Sequence, residues 1–197
     1  SALGLSPTGE DMWYGVSFDN GPKANTDIGS LVVWNMNTGA SKTIIGPKTG
    51  YPYPPTTHVS AMAYRNPGWA VVSTRGDTSG KGLLDLEITV ANTVDGRVCR
   101  AGRHRSWGKA NTHLAQPYWA ESHTVPSPSG TRLLFASDWG NGATVDTYVV
   151  ENFDFKNKTV SPGKYLKPNE GIPDGWEGVD IGPETVKLFS AEVASAG

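Results

Sequence analysis

The chain has 197 residues, 37% hydrophobic and 18% charged, with 17 Lys+Arg against 19 Asp+Glu for a formal net charge of -2. That balance disfavours nucleic acid as a partner, since phosphate-binding modules carry a strong basic excess. The lone Cys99 excludes an intrachain disulfide or a cysteine-based zinc knuckle, and no apolar run approaches the ~18 residues of a membrane span.

With 24 Gly, 14 Pro, 7 Trp and 7 Tyr, the composition reads as an all-β chain with many turns around a packed aromatic core. In chain order the first unit is the turn Ser6-Pro-Thr-Gly, then the strand-forming run that starts at Met12, Leu31–Met36, and Lys42–Ile45. Most of an inner strand before that turn is missing from the expectation. The second unit is His58–Tyr64, the turn Asn66-Pro-Gly, Trp69–Thr74, Leu86–Ala91 and Arg97–Arg100. The third is Ala120–Val125, the turn Ser127-Pro-Ser-Gly, the run from Leu133, Val145–Val150 and Lys158–Val160.

The turn prolines Pro7, Pro67 and Pro128 stand 60 and 61 residues apart. Four short strands per unit at such a period predict β-propeller blades, with the strand before each turn innermost. A β-sandwich shares the turn density but predicts no such self-similarity. Propellers close with ~4–8 blades. The expectation is therefore a partial propeller of about three blades over residues 1–165, a piece of a larger ring or one completed by self-association, followed by a tail over 166–197. Trp13, Trp34, Trp69 and Trp139 are expected to pack between blades.

From Tyr118 to Trp139 the chain resembles the TolB-type propeller repeat, with Ser129 where that family usually has Asp; a Ser hydroxyl can cap the same turn. The order His58-Val-Ser, Arg103-His-Arg-Ser-Trp107, Glu121-Ser-His123 is similar to oligogalacturonate lyases. That resemblance implies a channel metal and cleavage of uronic-acid oligosaccharides by β-elimination. It places His58 and His123 at ligand histidines, Glu121 where the family has another histidine, and Tyr118 where it has a glutamine. The implied cofactor is a divalent cation, manganese or calcium, for which the Glu121 carboxylate is a competent hard donor. The implied partner is an acidic oligosaccharide, recognised by Arg103, His104 and Arg105, with Trp107 or Trp119 stacking on a sugar ring. Two alternatives stay open: a non-catalytic propeller serving as a binding scaffold, and an incomplete fragment without activity. The sequon Asn157-Lys-Thr159 leans towards a secreted or periplasmic protein.

The tail changes character: Lys+Arg outnumber Asp+Glu by 16 to 13 up to Pro168, but from Asn169 the ratio is 1 to 6. Gly182–Ser195 is expected to be a helix, with Pro183 at its first position and Glu184 in its first turn. Glu170-Gly-Ile-Pro-Asp-Gly-Trp-Glu-Gly-Val-Asp-Ile-Gly-Pro-Glu-Thr-Val-Lys-Leu-Phe189 closely resembles a phosphoglycerate kinase stretch. Phosphate loops, catalytic lysine and substrate arginines have no counterpart here, so kinase activity is not expected.

Overall fold

The computed structural model describes residues 1–18, 28–51, 56–77, 80–107, 121–140, 144–151 and 186–189. They form three four-stranded antiparallel sheets, each a simple meander. The first holds β1 (Ala2–Leu5), β2 (Asp11–Val16), β3 (Leu31–Asn35) and β4 (Ser41–Ile45). The second holds β5 (Thr56–Ser60), β6 (Trp69–Thr74), β7 (Glu87–Asn92) and β8 (Val98–Arg103). The third holds β9 (Val125–Pro126), β10 (Arg132–Ser137), β11 (Asp146–Glu151) and β12 (Val186–Phe189). The first strands of successive sheets lie next to one another. This all-β arrangement fits a partial propeller-like fold. Among the described residues no helix is long and apolar enough to cross a membrane.

Each sheet is built around the same turn chemistry. In the first, the Gly9 N–H donates to Ser6 O at 2.9 Å, and in the third the Gly130 N–H donates to Ser127 O at 2.8 Å. Both glycines have positive φ, +87° and +75°, which a side chain would strain. Ser129 does the capping expected of it, its Oγ accepting the Thr131 N–H at 3.4 Å. The turns also knit neighbouring sheets at one end of the molecule. Gly68 N–H donates to Leu5 O at 2.8 Å, Arg65 N–H to Pro128 O at 3.0 Å, and Asn66 Nδ2 to Ser129 O at 2.9 Å.

The middle sheet is buried on both faces because β6 and β7 carry apolar residues on both parities. Val72, Ala70 and Ala91 pack with Tyr14, Leu31 and Val33 of the first sheet. Val71, Ile88 and Val90 pack with Leu133, Phe135 and Tyr148 of the third. At ~25 cal/mol per Å² of apolar area removed from water, these two interlayers are the main source of cohesion.

Several expectations are corrected. The first sheet has a full inner strand, β1. The second inner strand begins at Thr56 and ends at Ser60, because Met62–Asn66 are given over to turns. The third contracts to Val125–Pro126. Trp34 is 39% exposed and sits in one cross-strand row with Leu3 and Trp13 on the outward face of the first sheet, not between sheets. The Trp13 ring lies on Gly15, where a Cβ would come within 1.9 Å of it. Across Val186–Phe189 the expected helix is a strand instead, aligned with Val150 to Thr147 of β11. The free hydrogen-bonding edge of β11 favours extended pairing there, whereas a four-residue helical segment would satisfy few of its own backbone groups. The rest of that helix, and the outer strand expected at Lys158–Val160, lie outside the described residues.

Candidate metal and ligand site

The site lies at the end of the sheets opposite the tied turns. His58 is the third residue of β5 and stands opposite Ser73 of β6. Glu121 and His123 lie on the segment leading into β9, and His123 has φ +44°, an unusual value for a residue with a Cβ.

The three residues expected as metal ligands come together although 63 positions separate the first two. His58 Nε2 and Glu121 Oε2 are 2.6 Å apart, with side chains 26% and 12% exposed. The rings of His58 and His123 stack with centroids 3.6 Å apart and planes inclined by 26°. One ligand atom from each of the three falls within 4.8 Å of the others. Burial, and then the neighbouring His58, hold His123 below the usual imidazole pKa against the pull of Glu121. A neutral imidazole is the form that ligates.

Two imidazoles and a carboxylate suit a first-row divalent ion better than calcium, which favours an all-oxygen shell. The three donors lie close enough together to share one ion once the His58–Glu121 hydrogen bond opens.

The basic cluster divides in three. Arg103, half-buried at the end of β8, lies opposite Glu87 and against Gly80. His104 is 3% exposed; its Nε2–H donates to Thr74 O at 2.7 Å and its Nδ1 accepts the Ser106 N–H at 3.0 Å. Both ring nitrogens are committed to the backbone, so His104 is not placed to hold a sugar, contrary to the expectation. Burial pushes its pKa down to about 4. Arg105 lays its guanidinium 5.1 Å from the centre of the Trp139 ring, which stacks at 4.8 Å on Tyr148.

His104 binds the carbonyl next to Ser73, so the basic loop and the three-residue group share one end of the second sheet. The loop is tied to the third sheet. Trp107 N–H donates to Asp138 Oδ1 at 2.7 Å, and Gly140 N–H to Arg105 O at 2.7 Å. Trp119, Tyr118 and His113 lie outside the described residues.

Sequence reasoning missed the buried hydroxyls beneath the site. Ser73 Oγ and Thr124 Oγ1 are 2.9 Å apart, and Ser122 Oγ lies 3.1 Å from Thr124 Oγ1. The only sequence signal was a pair of polar residues, Ser73-Thr74, ending the apolar run of β6.

No family model matches the chain. It is 61% identical over 33 residues to the phosphoglycerate kinase of Eremothecium gossypii, which is 17% of this chain and 8% of that enzyme. It is 46% identical over 54 residues to that of Saccharomyces cerevisiae, 26% and 12%, and 28% over 118 residues to that of Rubrobacter xylanophilus, 58% and 27%. The chain thus spans about a tenth to a quarter of the curated relatives it matches. A solved structure of an oligogalacturonate lyase in complex with manganese is similar with a TM-score of 0.49 and 14% identity, over 81% of this chain and 36% of that one. The resemblances to oligogalacturonate lyase and to a phosphoglycerate kinase segment are both present among these matches.

Proposed function

We propose that this is a carbohydrate-active, propeller-like protein that holds a divalent cation, manganese before calcium, between His58, Glu121 and His123, and takes an acidic oligosaccharide of uronic acids as its ligand. The observation that carries the reading is the convergence of these three side chains from two different sheets. Arg105, oriented by Trp139, and Arg103 are the groups that would pair with uronate carboxylates.

In the lyase reading the step is removal of a proton from the carbon next to a uronate carboxylate. A bound divalent cation would supply charge to offset the negative charge that builds up there. The chain's own residues bind and orient: arginines on carboxylates, Trp139 beneath Arg105. A non-catalytic binding module is the second reading. It is consistent with His104, whose ring nitrogens are both engaged, so that the imidazole of the basic loop offers no base to a bound sugar. Kinase chemistry is not part of the proposal, since the 61% identical match spans 8% of a phosphoglycerate kinase.

The test is elemental analysis and titration calorimetry of dialysed protein. One manganese per chain is expected, with affinity reduced at least tenfold in His58→Ala. Unchanged affinity in that variant would refute the site. Formation of an unsaturated uronide separates the lyase from the binding module, in which an acidic oligosaccharide binds without turnover.

A further inference from the structure

The segment that carries Glu121 and His123 has little ladder to hold it. β9 is two residues long, against four in β1 and five in β5. Residues 121–124 precede it, and among the described backbone bonds they are tied by one, Ala136 N–H to Ser122 O at 2.9 Å. Yet His123 keeps a left-handed backbone and a ring stacked on a histidine of another sheet. Such a conformation costs ~1–3 kcal/mol and persists only where its surroundings over-determine it.

Besides the hydrogen bond between His58 and Glu121, the surroundings that hold the segment are hydroxyls. Ser73 Oγ lies 2.9 Å from Thr124 Oγ1 and also accepts the Thr124 N–H at 3.1 Å. Thr124 Oγ1 in turn lies 3.1 Å from Ser122 Oγ. All three residues are 1% exposed, so these bonds are shielded from competing water. Ser73 is also the residue directly across from His58 in the β5–β6 ladder. One residue therefore links both halves of the site: its backbone pairs opposite His58 in the ladder, and its hydroxyl grips Thr124, the residue next to His123.

We infer that Ser73 is a positioning residue that sets the separation of His58 and His123 by clamping the segment 122–124 of the third sheet onto β6 of the second. The metal consequence rests on the reading proposed above; the clamp itself does not. Removing the hydroxyl frees the segment to relax its backbone, and the stacked rings part.

The experiment pairs two readouts on the full chain. In metal-free protein, the nuclear Overhauser contact between the His58 and His123 rings is expected in the wild type and lost in Ser73→Ala. With manganese added, the affinity of Ser73→Ala is expected to fall ~10–100-fold. Thr124→Val cuts the side-chain bond from its other end at nearly constant volume, and covers the case in which Ser73→Ala fails to fold. The double variant is expected to lose no more affinity than Ser73→Ala, which by itself removes both bonds between Ser73 Oγ and Thr124, whereas Thr124→Val removes only the side-chain one. Loss of the ring contact in a protein whose wild type binds no manganese would uphold the clamp and refute the metal site. A ring contact that persists unchanged in both single variants overturns the inference, whatever the metal does.

Discussion

His104 shows what burial does to a residue whose type suggests chemistry. Its neutral form is held by two backbone bonds, and its pKa falls to about 4 from the ordinary 6.5. The unfolded chain binds that proton at higher pH than the folded one. The stabilisation is therefore complete above pH ~6.5 and is lost as pH falls towards 4. At pH 5 the loss is on the order of 2 kcal/mol. Glu87 acts in the opposite sense: burial, only partly offset by Arg100 at 2.5 Å, raises its carboxyl to about 7, so its contribution is lost as pH rises through that value. The comparison of wild type with His104→Gln isolates the histidine. Urea unfolding from pH 7 to pH 5 should show the stability difference between the two shrinking as the wild type weakens; a constant difference would contradict the assignment. Neither behaviour is written in the local sequence, where Arg103-His104-Arg105 reads as a cationic patch.

Strands are largely legible because each is a short run of β-formers between turn residues. Trp69–Thr74 coincides with the observed β6, and Leu31–Asn35 and Ser41–Ile45 differ from expectation by a residue at one end. The inner strands are not, since they depend on what their neighbours offer. β12 is the sharpest case: Val186, Lys187, Leu188 and Phe189 suit a helix face or a strand, and the open edge of β11 decides. A proline at Leu188 locks φ at about −65°, away from the extended values of an antiparallel strand, and so disfavours that edge pairing. In Leu188→Pro, hydrogen exchange should speed up for the β11 amides that point away from β10. Those shared with β10 should keep their protection. Uniform protection along β11 would show that the edge pairing contributes nothing.

At the scale of the molecule, cohesion runs through the middle sheet. Val71 and Val72 are both 0% exposed but belong to different interlayers, one with the third sheet and one with the first. Each Val→Ala change should cost about 2 kcal/mol in denaturant unfolding. The costs should add in the double variant, because the two side chains share no partner across the sheets. A marked shortfall from additivity would mean that the sheets repack as one core.

The 60-residue turn spacing and the strand texture, read from the sequence alone, were enough for an all-β chain of three four-stranded units, because turn chemistry and period-2 burial are local. His58, Glu121 and His123 were legible as candidates by residue type and order. Their meeting at one point, the commitment of His104 to the backbone and the hydroxyl clamp from Ser73 were decided only by tertiary structure. Each of these turns on a contact between residues 30 or more positions apart, for His104 the bond to Thr74, and such contacts depend on how the chain packs rather than on any neighbouring sequence.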